Sequence, residues 1–244
     1  MGTTRVDEAT SLRPRWGLIE AIVGLVSAVA LMWLLVRWLT SGVYYDGHLA
    51  LVLSYAVVWI PLLVACFVAC YVNGSHSWAR DLGLRFTWLD ALFGLGIGLL
   101  ARAVASLAEI AFYGRMSGLG VTFGEVTYDG WWVFGAFLAP VLLAPFVEEL
   151  FFRGLIQRTS VRLASQALPR AAAVGVSVLI STLFFTVLHL AEVTNATAAA
   201  VLGISTFVFG IGSGILAAAT GRIGGSIIAH ITFNGSLVLS ALLA

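Results

Sequence analysis

Seven apolar stretches follow one another along the chain, at about 16–39, 49–72, 88–113, 131–157, 170–190, 196–219 and 223–243. Each is long enough to cross the roughly 30 Å hydrocarbon layer of a bilayer as a helix. Inside hydrocarbon every backbone N–H and C=O must find its partner within the protein, so only helices and closed barrels can span. None of the stretches alternates with a period of two, which argues against strands and predicts helices. The expected fold class is therefore all-α: a polytopic membrane helical bundle of about seven (seven or eight) transmembrane helices, forming a single membrane domain over 1–244. Composition agrees, with 60% hydrophobic and only 10% charged residues, against about half and a quarter in soluble domains.

The arginines indicate which way the bundle faces. Arg5, Arg13, Arg15, Arg80, Arg85, Arg158, Arg162, Arg170 and Arg222 fall on the side of the N-terminus, and only Arg37 and Arg115 fall on the other. This asymmetry predicts an integral protein of the plasma (inner) membrane with a cytoplasmic N-terminus. The first apolar stretch is too long for a cleavable signal peptide and lacks a small-residue cleavage site. A net charge of +1 without any basic run gives no reason to expect a nucleic-acid partner; the lipid bilayer is the partner expected. Cys66 and Cys70, four residues apart in one span, read as small packing residues. Gly94/Gly98 and Gly210/Gly214 permit close helix approach.

Against this apolar background, charges inside spans stand out, because each costs roughly 2.5–3.5 kcal/mol near the bilayer centre. Arg102 and Glu109, two turns apart, read as a structural ion pair. The stretch "PFVEELFFRG" (145–154) is denser. On a helix Glu149 and Arg153 are i,i+4 neighbours in the favourable acid-before-base order. Glu148 is rotated about 100° away and has no such local partner, which makes it a candidate general base. "LFFTVLHLAE" carries His189 with Phe185 one turn before it, where the ring can pack on the imidazole. "SIIAHITFNG" carries His230 and Asn234 on one face of the last span. Glu149 lies 20 residues before Pro169 and His189 lies 20 after it, so a hairpin turning near Pro169 brings them level. His230 joins them only if that hairpin extends well beyond the membrane.

A Glu and a His can activate water, while a second His with an Asn can donate to an oxyanion. Those are the parts of a peptide-bond hydrolase with no covalent nucleophile; neither a GxSxG elbow nor an HExxH pair occurs. Glu148, His189 and His230 could equally hold a divalent metal such as zinc that supplies the hydroxide. The rival readings are a proton-coupled transporter using these groups as a relay, a haem protein with His189 and His230 as axial ligands, and a non-catalytic scaffold.

The three motifs resemble those of the CPBP family, the CAAX protease and bacteriocin-processing intramembrane endopeptidases. Its EExxxR motif stands here as Glu148 to Arg153, FxxxH as Phe185 to His189, and HxxxN as His230 to Asn234, within a family-like core of about 131–240. The resemblance implies that Glu148 and His189 activate the water, that His230 and Asn234 hold the oxyanion, and that Glu149 and Arg153 support the site. It implies a peptide or protein substrate, in some relatives a lipidated one. Whether a metal is required stays open, since both metallo- and glutamic mechanisms are ascribed to the family. Some bacterial members are read as scaffolds or bacteriocin-immunity proteins.

Overall fold

Eight helices account for the fold in the computed structural model, which describes residues 16–116, 129–191 and 193–243, with side chains to 239. They are α1 (Leu18–Leu39), α2 (Gly47–Val72), α3 (Trp78–Asp81), α4 (Trp88–Tyr113), α5 (Gly130–Ala164), α6 (Arg170–Leu190), α7 (Ala196–Thr220) and α8 (Gly224–Leu243). Six are long and apolar enough to cross a membrane, and α8 is a shorter apolar helix over its described side chains. No strand occurs among the described residues. The chain is thus an all-α, polytopic membrane bundle. Arg5, Arg13 and Arg15, three of the nine arginines behind the expected orientation, lie outside the described residues.

Local chemistry sets the helix ends. Asp46 accepts hydrogen bonds from the His48 and Leu49 N–H groups to open α2. Thr87 and Asp90 form a reciprocal capping box at the start of α4, and Asn195 caps α7 through Thr197 and Ala198. Gly114 and Gly221 end α4 and α7 at φ 72° and 64°, the left-handed conformation in which a side chain is strained.

Two close crossings hold the C-terminal half together. A Cβ on Gly94 or Gly98 would strike the Gly225 or Ala229 carbonyl of α8, so these glycines let α4 and α8 meet backbone to backbone. Gly210 and Gly214 leave room on α7 for the side chains of Thr182 and Val178 of α6. The turn between α7 and α8 is tied back by Arg222, which reaches Asp90 at 3.1 Å. α1 pairs with α2, and Trp16 Nε1 donates to the Ala69 carbonyl at 2.7 Å. Trp33, Leu34, Leu99, Leu100 and Leu107 point outward, as suits faces that meet lipid.

α5 runs through the centre, and all eight residues from Leu150 to Gln157 are buried. It is longer than expected: 35 residues rather than the apolar 131–157. Hydropathy stops at Arg158, but a helix needs only satisfied backbone, and Arg158–Ala164 continues it as a polar extension. At about 1.5 Å per residue, α5 outruns the hydrocarbon layer. Its polar end, Arg158–Ala164, leads into the hairpin to α6, capped at Pro169. Arg158 Nη2 donates to the Gly221 carbonyl at 2.6 Å, which sets the α7–α8 turn level with Arg158. Glu149 lies nine residues before Arg158, and His230 nine residues after Gly221, so the two meet at one height.

Candidate active site

Three spans bring their polar residues to one point. Glu148 Oε2 lies 3.7 Å from His189 Nε2 and 3.9 Å from His230 Nε2. It is buried and accepts no hydrogen bond among the described residues. A buried oxygen without a partner costs on the order of 1–3 kcal/mol, more when charged, so this arrangement needs a reason.

The outer nitrogens of both imidazoles are already committed. His189 Nδ1 donates to the Phe185 carbonyl at 2.8 Å. A carbonyl can only accept, so in the neutral ring Nε2 presents its lone pair toward Glu148. His230 Nδ1 lies 3.0 Å from Glu149 Oε1 and donates to that carboxylate. Phe185 packs on both rings, with centroids 4.3 Å from His189 and 5.6 Å from His230.

Glu149 stands behind the site, fully buried with every oxygen engaged. Oε1 faces Arg153 Nη1 at 3.1 Å, as the i,i+4 spacing predicts, and Oε2 accepts from Ser213 Oγ at 2.9 Å. The Arg153 guanidinium lies over the rings of Phe185 and Phe209, at 4.5 and 5.6 Å, and Nη2 reaches the Gly210 carbonyl at 3.4 Å. Two adjacent glutamates thus have opposite surroundings: one is saturated and the other bare.

Residues 130–236 match the family model described as Rce1-like, type II CAAX prenyl endopeptidase Rce1-like. That segment is similar to the Rce1-like family. It covers a little under half of the chain, from the start of α5 to beyond Asn234, and contains all seven expected site residues. No match was found among curated proteins or among solved structures. The match supports a peptidase at the level of that family, and the apolar helices support an integral membrane protein.

Asn234, expected to hold the oxyanion with His230, also contacts α5. Its Nδ2 donates to the Pro140 carbonyl at 2.7 Å. The reason lies in α5, whose segments Val133–Leu143 and Leu150–Gln157 are π-helical. In such turns each N–H bonds the carbonyl five residues back, and Pro140 has no N–H to give to Gly135. Tyr55 of α2 supplies the missing donor, its hydroxyl giving a 3.1 Å bond to the Gly135 carbonyl. Tyr55 and Asn234 thus hold the widened α5 from two sides, directly before its glutamates.

Sequence reasoning missed Tyr55, Phe209 and Ser213. A signal for the last two was present: four residues apart in a span, they share a face with Gly210 and Gly214 that must turn inward. Phe209 packs on His230 with centroids 4.6 Å apart, and Ser226 Oγ donates to the Ser213 carbonyl at 3.0 Å.

Glu148, His189 and His230 are the residues that could hold a metal ion. Bonds of about 2.0–2.2 Å to a tetrahedral zinc place its donors about 3.4 Å from one another, beside the 3.7 and 3.9 Å from Glu148 Oε2 to the two Nε2 atoms found here. With the side chains as they stand, no group of three His, Cys, Asp or Glu among the described residues is arranged around a metal ion.

Proposed function

We propose that this chain is an intramembrane endopeptidase of the CAAX-protease type, hydrolysing peptide bonds with a water activated by Glu148 and His189. Its substrates would be membrane-associated peptides or proteins, those with prenylated C-termini included. One observation carries the reading: the partnerless Glu148 Oε2 faces two imidazole Nε2 atoms whose rings are already oriented. Two facing acceptors 3.7 Å apart would be relieved by a water that donates one O–H to each as the gap opens slightly.

In the proposed reaction Glu148 takes a proton from that water as its oxygen attacks the scissile carbonyl carbon, and the carbonyl π electrons move onto oxygen. Nε2–H of a protonated His230 and an N–H of Asn234 donate to the oxyanion; the Asn234 amide carries a second N–H besides the one given to Pro140. On collapse of the tetrahedral intermediate the C–N bond breaks, and Glu148 passes its proton to the departing amine. Glu149 and Arg153 take no proton in this scheme. They position His230.

The test is cleavage of a peptide library that includes prenylated C-terminal peptides, by wild type and Glu148→Gln purified to monodispersity. The amide cannot accept the water's proton, so activity is expected to fall by about 10²–10⁴ with the melting temperature unchanged. Wild-type cleavage is expected to survive a chelator. Full activity of Glu148→Gln would refute the role of Glu148, and activity lost on chelation and restored by zinc would refute the metal-free scheme.

A further inference from the structure

Among the described residues, three concavities away from the candidate site stand out. Two are apolar crevices, one between α1, α5 and α6 and one between α1 and α2, and nothing about them selects an occupant other than lipid chains. The third differs in chemistry. It is a cavity of about 290 Å³ between the polar extension of α5, the start of α6 and the end of α7. Arg153, Arg158, Arg162 and Arg170 line it together with Gln157, and no carboxylate does.

The charge there is poorly compensated. Arg153 is paired with Glu149. Arg158 gives its hydrogen bond to a neutral carbonyl, that of Gly221. The Arg162 guanidinium lies 4.6 Å over the Trp16 ring. Asp81 acts electrostatically on Arg158 and Arg162, but its oxygens are taken by the N–H and O–H of Ser75 at 2.7 Å. At the deep end, Arg153 Nε and Gln157 Oε1 are buried without a hydrogen-bond partner among the described residues. A donor and an acceptor left open at the floor of an arginine-lined cavity suit an anion that carries a neighbouring hydroxyl.

We propose that this cavity binds a phosphate group, of an anionic phospholipid headgroup or of free phosphate, through Arg158, Arg162 and Arg170. Planar guanidinium forks match phosphate oxygens in pairs, and basic pockets between helices at a membrane surface take anionic headgroups. The cavity lies on the polar extension of α5, just past its apolar run, where a headgroup could reach it. It uses no residue that the proposed hydrolysis requires except Arg153 at its floor, and it stands whether or not the chain cleaves peptides.

The experiment uses full-length protein in detergent, titrated separately with short-chain phosphatidylglycerol, short-chain phosphatidylcholine and inorganic phosphate, with the melting temperature read at each concentration. Wild type is expected to be stabilised by phosphatidylglycerol and not by phosphatidylcholine. Arg170→Gln and Arg162→Gln should each raise the half-saturating concentration roughly tenfold, the loss of one charge-assisted hydrogen bond. Arg170→Lys should recover part of that loss, and Arg37→Gln at the far end of α1 should behave as wild type. Arg170 is exposed, so its variants are expected to fold. Saturation by inorganic phosphate alone, with the same arginine dependence, would support the site and identify free phosphate as sufficient. Stabilisation by phosphatidylglycerol that is equal in wild type and both glutamine variants, or no stabilisation of wild type by either anion, would overturn the proposal.

Discussion

Arg153→Met tests whether the saturated glutamate depends on its arginine. The methionine fills much of the arginine's volume between Phe185 and Phe209 but leaves Glu149 without its cation. Breaking a buried ion pair from one side costs about 3–5 kcal/mol. Two donors remain on Glu149, His230 Nδ1–H and Ser213 Oγ–H, which pull the cost to the lower part of that range. Loss of the guanidinium over two aromatic rings adds about 1 kcal/mol. The sum is about 4 kcal/mol, or a fall in melting temperature of roughly 10 °C for a chain of this size. The reasoning makes a second, sharper claim. If the damage is an orphaned buried charge, neutralising it should repair it: Arg153→Met with Glu149→Gln should lie within about 5 °C of wild type. The Gln carbonyl keeps an acceptor for His230 Nδ1–H, and its NH2 can donate to Ser213 Oγ. Thermal unfolding of the single and double variants in one detergent measures both numbers. A single variant within about 2 °C of wild type, or a double variant no more stable than the single, would refute the account.

Ser213→Ala removes one hydrogen bond to a charged group, so it should lower stability by about 1.5–3 kcal/mol and reduce kcat more than KM, because His230 loses part of its support; unchanged kcat would argue against a positioning role. Gly98→Val should prevent α4 from meeting α8, since its side chain would strike the Ala229 carbonyl and the Thr232 side chain; recovery of monodisperse, fully stable protein would contradict that crossing. Tyr55→Phe should cost about 1 kcal/mol, and adding Pro140→Ala should recover it, because Ala supplies the backbone N–H that Gly135 lacks; an additive loss measured by thermal unfolding would refute the link between the two.

Much of this molecule was legible in its residues because a bilayer leaves few options. Long apolar runs must be helices, and their observed limits fall within a few residues of the hydropathy limits except where α5 continues as a polar helix. Charges inside hydrocarbon must face inward and pair. That made Arg102 with Glu109, at 2.5 Å, and Glu149 with Arg153 readable from spacing alone. The i,i+3 and i,i+4 geometry of one helix also left Glu148 apart from its neighbour before any neighbouring helix was known.

The assembly of the site was not readable in this way, because it depends on distances between helices. That His230 meets Glu148 follows from the Arg158–Gly221 contact, which sets two chain segments 63 residues apart at one height. Ser213 and Phe209 matter through the crossing of α7 on α6, and Tyr55 matters only because Pro140 opens a π-helical carbonyl toward it. Residue types and local spacing determined which groups had to be buried and which could pair within a helix. Tertiary packing alone decided which carboxylate oxygen was left bare, since that depends on every donor the other helices bring or withhold.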